Sequence, residues 1–295
     1  MDRERLLMLH HCEGIGWKHI HHFLTFDPTL EKIYKMSSRE LSGFFHLKTD
    51  TAARLSRHLT VSSFKKLANF YRREKISLIV MGDEQYPSLL QCIFDPPWVL
   101  YAKGNIEYFS RTSISVVGTR NPTPYGISSL RQILVPLIEK GWTTVSGLAA
   151  GIDTEVHRLS VISQRPTIAV LGHGLGTLYP SRNAELAGMI EQQGILVTEF
   201  PFYNKPNKWQ FPQRNRIISG LSPGTLVVEA REKSGSLITA DQALDQGREV
   251  FAVPGPIHEP CSFGTNSLIQ NGAKLTACSD DILTEYPKYF SKAFS

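Results

Sequence analysis

Ser115-Val116-Val117-Gly118-Thr119-Arg120 is a β-branched run that stops at a glycine, followed by a hydroxyl and a guanidinium. The arrangement recurs toward Gly255. The later stops are Ser146-Gly147-Leu148-Ala149-Ala150-Gly151-Ile152-Asp153, Gly172-His173-Gly174-Leu175-Gly176, Glu229-Ala230-Arg231 and Val253-Pro254-Gly255. Branched side chains pack well on a pleated surface, so strands are expected at 113–117, 142–146, 167–171, 195–199, 225–229 and 249–253. Helix-like stretches such as 125–140, 182–193 and 234–247 separate them. Strand, helix, strand at this spacing predicts an α/β fold. Its mostly parallel sheet is doubly wound, covered on both faces and joined by right-handed crossovers. In such a sheet the carboxyl ends of the strands share one edge, where ligands bind.

Working outward, residues 1–75 read as a small all-helical domain. Leu6, Leu7, Leu9, Ile15, Ile20, Phe23 and Leu24 keep amphipathic spacing, and Gly14-Ile15-Gly16 breaks it as a tight turn. A G-x-G turn between helices is the core of a helix-hairpin-helix motif; a bundle used only for packing or protein contact fits equally well. Residues 76–112 read as a connecting arm on the larger domain. The strand-like Ile76–Met81 opens the arm, and Pro96-Pro97 within it suits neither a helix interior nor a central strand. The main domain is expected over 113–295, with a short strand at 273–276.

The chain has 295 residues, 41% of them hydrophobic, and no apolar run long enough to span a membrane. Its first residues lack a signal peptide's apolar stretch, so a cytoplasmic address is expected. The four cysteines are scattered without a C-x-x-C pair, and the histidines at 10, 11, 19, 21 and 22 lack ligand-spaced neighbours. No metal is expected. The net charge of +5 permits a polyanionic partner without requiring one.

The candidate chemistry is phosphate holding. Gly118 lets backbone approach an anion, the helix starting near Tyr125 aims its amides there, and Arg120 offers a guanidinium. This is not a G-x-G-x-x-G fingerprint, and Ser146-Gly147 stands where a ribose-gripping acid belongs, so no bound NAD or FAD is expected. Ser146, Asp153 and His157 fall within one strand–helix unit without a nucleophile elbow, and read as structural. Lys205-Pro206-Asn207-Lys208-Trp209-Gln210-Phe211-Pro212-Gln213-Arg214-Asn215-Arg216 reads as a proline-stiffened loop with a single-strand-binding composition. Extended, Arg214 and Arg216 point to opposite sides, so one of them is expected to brace the fold. Ser234-Gly235-Ser236 suits a helix cap or an anion. Glu229 is expected to pair structurally with an arginine.

Together these residues resemble the DNA-processing protein A (DprA, or Smf) family. The shared motifs run in order: Val116–Arg120, Ser146–Asp153, Tyr179-Pro180 with Asn183, Phe211–Ser222, Ser234–Ala240, Gly247–Gly255 and Leu268–Ala273. Asp95-Pro96-Pro97 with Val99-Leu100-Tyr101 and Lys103-Gly104-Asn105 fits as well. The resemblance implies an extended Rossmann-like domain preceded by a sterile-alpha-motif-like helical domain. It implies a homodimer that binds single-stranded DNA, protects incoming strands and delivers them to a RecA-type recombinase in natural transformation, with single-strand-binding protein as a further partner. No catalytic residue and no cofactor are implied. Carried over by motif, Gly118, Thr119 and Arg120 grip a phosphate, Lys208 supplies charge and Phe211 stacks on a base. The full candidate set adds Ser146, Gly147, Arg182, Arg214, Asn215, Lys233 and Ser234. Ser181 stands where relatives often carry a basic residue, and Gly176 where they often carry Asp. The winged helix of some relatives is not expected, and 264–290 is one candidate dimer surface. The rival from another class is a phosphoribohydrolase-like nucleotide-processing enzyme. Its Pro-Gly-Gly-x-Gly-Thr loop is replaced here by Lys233–Thr239.

Overall fold

Residues 2–61 and 63–286 are described by the computed structural model, and they divide into two units. The last residues of the expected main domain and of the 264–290 candidate, from 287 on, lie outside the described residues. The first unit runs to Glu84 and takes in Pro97–Tyr101; the second holds Gln85–Pro96 and everything from Ala102. Residues 76–112, read from sequence as one arm, are thus shared between the two.

In the first unit the helices are α1 (Arg3–His10), α2 (Trp17–Phe26), α3 (Glu31–Lys35), α4 (Ser38–Phe45), α5 (Thr49–Val61) and α6 (Phe64–Arg73). They precede β1 (Ser77–Val80) and the start of β2 (Val99–Gly104). Caps set several boundaries: Asp2 accepts from the Arg5 amide at 3.0 Å, and Ser37 and Glu40 form a reciprocal capping box. Leu6, Leu7, Leu9, Ile20 and Phe23 are fully buried, as their spacing predicts. Gly14 turns the chain at φ +88°, and the Gly16 amide donates to Nδ1 of its own His19 at 3.1 Å. That amide of the G-x-G turn therefore has an internal partner. Two more histidines enter a part-buried polar cluster with buried Tyr71 and Tyr101. His10 Nδ1 lies 2.9 Å from the Tyr101 hydroxyl, and His11 Nε2 lies 2.8 Å from that of Tyr71. Burial pushes the His10 ring down to about 3 and the His11 ring to about 4.

The second unit is built on β3 (Ser113–Gly118), β4 (Thr143–Ser146), β5 (Thr167–Val170), β6 (Ile195–Thr198), β7 (Gly224–Val228), β8 (Glu249–Ala252) and β9 (Lys274–Leu275). Each falls within one residue of its expected ends. Their spatial order is β6-β5-β4-β3-β7-β8-β9, and every adjacent pair is parallel. Between them run α7 (Ser88–Gln91, ahead of the sheet), α8 (Pro124–Glu139), α9 (Ile152–Ile162), α10 (Ala184–Gln193), α11 (Gln210–Gly220) and α12 (Gly235–Asp245). Then come α13 (Phe263–Gln270) and α14 (Ser279–Leu283).

The two-residue period of β3 explains the two layers. Ile114 and Val116 enter a core with Leu130, Ile133 and Leu134 of α8 and Ile152 of α9. On the opposite face the Ser113 hydroxyl donates to the Leu221 carbonyl at 3.0 Å and that of Ser115 to the Ile218 carbonyl at 2.6 Å. These bonds seat α11. From β3 the chain winds outward through β4, β5 and β6, then returns and winds the other way through β7, β8 and β9. The winding reverses between β3 and β7, and there a doubly wound sheet opens its binding crevice.

Candidate nucleic-acid interface

The turn after β3 stands at that reversal. Gly118 has no room for a side chain: a Cβ would lie 2.1 Å from the Val228 carbonyl oxygen and 2.7 Å from Ile152. The Thr119 amide donates to the Glu229 carbonyl at 2.9 Å, and the Thr119 carbonyl accepts from the Ile152 amide at 3.1 Å. Thr119 thus spends its amide inside the sheet, and its hydroxyl oxygen accepts from the Asn121 amide at 3.3 Å. Glu229 sits at φ +56°, which turns its carboxylate toward the start of α8. The carboxylate accepts from the Thr123 amide at 2.9 Å and from the Thr123 hydroxyl. The expected ion pair with an arginine is corrected. Here the carboxylate braces the positive end of a helix, whose unsatisfied amides favour an anion. With its backbone fixed on both sides, Arg120 projects an exposed side chain that has no ion-pair partner among the described residues.

The turn after β4 is engaged inward. The Ser146 hydroxyl is buried and donates to the Val116 carbonyl at 2.7 Å. Asp153 accepts from the amides of Gly147 at 3.1 Å and Ala149 at 3.3 Å, tying the loop to α9. His157 places Nδ1 2.7 Å from the Thr167 hydroxyl, so its ring serves β5 and not the neighbouring carboxylate. Burial raises the Asp153 carboxyl and lowers the His157 ring to about 3.

The basic segment 205–216 proves to be half helix. Pro212 falls in the first turn of α11, where its missing amide and fixed φ are tolerated, so the expected loop ends at Trp209. Helical geometry then turns both arginines inward, correcting the expectation that only one braces the fold. The Arg214 guanidinium donates to the carbonyls of Gly147 (2.6 Å) and Val170, and a Cβ on Gly147 would collide with it. Burial lowers Arg214 to about 10, and nearby Arg120 pushes the same way while Asp153 opposes. Arg216 makes a two-pronged pair with Glu199 at 2.7 and 2.8 Å and reaches Asp95 at 2.9 Å.

What remains outward is a consistent set. Lys208 is exposed just before α11, and Phe211 is half-buried, resting against Gly172. The ring of Tyr179, 54% exposed, lies 5.8 Å from that of Phe211. Arg182 is exposed on a 3-10 turn, Ser181–Asn183. Asn215 donates to the Gly235 carbonyl at 3.2 Å, tying α11 to the start of α12, where the loop after β7 ends. That loop carries exposed Lys233, then Ser234, whose hydroxyl lies 2.8 Å from that of Ser236 at the start of α12. Arg120, Arg182, Lys205, Lys208 and Lys233 are all exposed, and none is ion-paired with another described residue. They follow β3, β5, β6 and β7, whose parallel pairing delivers all these loops to one edge. Ser146, Gly147 and Arg214 of the candidate set lie buried beneath it. Tyr179 belongs to a motif legible in the sequence, Tyr179-Pro180, but not to the candidate set, which its ring now joins through Phe211. Among the described residues no His, Cys, Asp and Glu cluster suits a metal ion, and no helix is long and apolar enough to cross a membrane.

Fold and edge together define a doubly wound α/β protein whose strand-end edge is cationic and aromatic. The DNA recombination-mediator protein A family matches residues 77–287, and the chain belongs to that family. It is 48% identical over 219 residues to DNA processing protein DprA of Bacillus subtilis, covering 74% of each chain. The X-ray structure of DNA processing protein A from Streptococcus pneumoniae superposes with a TM-score of 0.83. That match covers 96% of this chain and 98% of that one at 31% identity. A Helicobacter pylori DNA processing protein A, whose structure describes a single-stranded DNA binding mode, superposes with a TM-score of 0.66. It covers 72% of this chain and 96% of that one at 28% identity.

Proposed function

We propose that the carboxyl edge of the sheet binds single-stranded DNA. The observation that carries this reading is the set of exposed, unpaired cations following β3, β5, β6 and β7, beside the Phe211–Tyr179 ring pair. Several arginines elsewhere in the same unit do have ion-pair partners: Arg131 and Arg158 both hold Glu155, and Arg216 holds Glu199. Unpaired charge along an edge suits a polyanion, and an accessible ring gives a base somewhere to stack. The single-stranded DNA bound by the Helicobacter pylori relative supports the same assignment.

On this reading the chain acts without catalysis, as a recombination mediator. It holds incoming strands as a homodimer and passes them to a RecA-type recombinase during natural transformation, alongside single-strand-binding protein. Family membership supports this part. The test is a titration of a labelled, unstructured oligonucleotide with wild type and Arg120→Glu. Wild type is expected to bind and Arg120→Glu to lose most of its affinity; equal affinities would overturn the assignment. Release of ribose phosphate from a nucleotide would favour the nucleotide-processing alternative instead.

A further inference from the structure

The loop that leaves β7 runs close to the start of α13. There Arg231, Glu232 and Lys233 form one wall of a concavity of about 450 Å³, and Pro260 and Phe263 form the other. Backbone bonds fix the two walls. The Ala230 amide donates to the Cys261 carbonyl at 2.7 Å, and the Gly264 amide donates to the Ala230 carbonyl at 2.8 Å. Gly264 permits this approach, because a Cβ there would stand 2.7 Å from the Ala230 oxygen and 3.0 Å from that of Arg231. The concavity is therefore built into the fold and does not depend on a ligand to form it.

Its lining has a specific chemistry. Arg231 and Lys233 are exposed, and neither is ion-paired with another described residue. Phe263, 37% exposed, begins α13 and turns part of its ring to the opening. Glu232 adds a carboxylate that repels phosphate but accepts hydrogen bonds from the amino and ring N–H groups of a base. Two cations alone would suit any anion. Cations with an aromatic face and an acceptor suit a nucleotide unit lying in an open groove.

The position says which nucleotide. β3 and β7 are neighbours with Gly118 opposite Val228, and the Thr119 amide is bonded to the Glu229 carbonyl. The loops that carry Arg120 and Arg231 thus leave neighbouring parallel strands at the same edge of the sheet. We propose that this pocket is a second nucleotide subsite, taking one further unit of the strand held at the Arg120 edge. Arg231 and Lys233 hold its phosphate, and Phe263 lies against its base. The inference rests on the single-strand reading of that edge.

The test uses the full chain and oligothymidylates of increasing length, followed by fluorescence anisotropy. Phe263→Ala and Arg231→Glu are each expected to weaken binding about 5- to 100-fold for strands long enough to reach the pocket. Both should bind the shortest strands like wild type. Phe263→Trp, which keeps a stacking face, should restore long-strand affinity; this separates lost stacking from damaged folding, and exposed Arg231 gives an independent reading. Wild-type affinity for both variants at every length, with Arg120→Glu still defective, would overturn the subsite and leave the edge assignment standing. If thymidine monophosphate binds at a site sensitive to Phe263→Ala while long strands are unaffected, the pocket serves free nucleotides and the proposal fails. Failure of wild type to bind any strand would remove the edge reading, and this inference with it.

Discussion

A buried guanidinium and an exposed one do different work, and Arg214 and Arg120 represent the two. Arg214 is 4% exposed and fastens the ends of β4 and β5 through the Gly147 and Val170 carbonyls. Removing it strands those acceptors and leaves buried Asp153 without its compensating charge. Arg214→Ala is expected to cost on the order of 3 kcal/mol of stability, read as a lowered denaturation midpoint. Arg120→Ala should leave that midpoint within about 0.5 kcal/mol of wild type, since an exposed side chain without partners is removed, yet weaken oligonucleotide binding strongly. An Arg120→Ala chain that binds like wild type would remove this residue from the interface. Phe211→Ala should lose about 1–3 kcal/mol of binding if a base stacks there, measured in the same titration.

At the scale of elements, the turns after the strands matter more than the strands. The 118–123 turn is pinned by Glu229, whose carboxylate reaches the Thr123 amide and hydroxyl at the head of α8. Thr123 in turn caps that helix by accepting from the Gly126 amide at 3.1 Å. Glu229→Ala removes the brace without touching an exposed residue. It should cost about 1–2 kcal/mol of stability and weaken DNA binding through a loosened Arg120, whereas unchanged amide exchange at 119–123 would refute the linkage. The strands themselves were legible to within a residue, because buried parallel strands read as short β-branched runs bounded by glycine or polar turns. Helix α11 was not legible. Pro212 and the surrounding charges read as a loop, yet a proline in the first turn costs a helix little, and α11 is held by Ser113 and Ser115, a hundred residues away in sequence.

For the whole molecule, charge and burial make two further predictions. If four to six edge cations neutralise phosphates, log affinity should fall against log salt with a slope of about −3 to −4. A slope near zero would contradict an electrostatic edge. The second concerns acid. His10 and His11 are held neutral by burial, to about 3 and about 4, against 6.5 for a free ring. Around them stand Tyr71, Tyr101 and His58, whose Nε2 lies 2.9 Å from the Met8 carbonyl. Because the folded state resists protonation, their stabilisation is present above about pH 6.5 and is lost as pH falls toward 4 and then 3. The first unit should lose roughly 2–4 kcal/mol between pH 7 and pH 5. Equal denaturant midpoints at the two values would show that the rings do not control it.

The sequence by itself determined the winding of the sheet, the edge where its loops gather and the family, because strand periodicity and turn chemistry are local properties of neighbouring residues. Only the tertiary structure decided which members of one basic segment are exposed. Arg214 and Arg216 became braces, and Glu229 became a helix support instead of an arginine's partner. These roles depend on carbonyls and amides that the fold brings in from distant strands. A buried charge takes whatever partner the packing supplies, and no spacing along the chain reveals which one that will be.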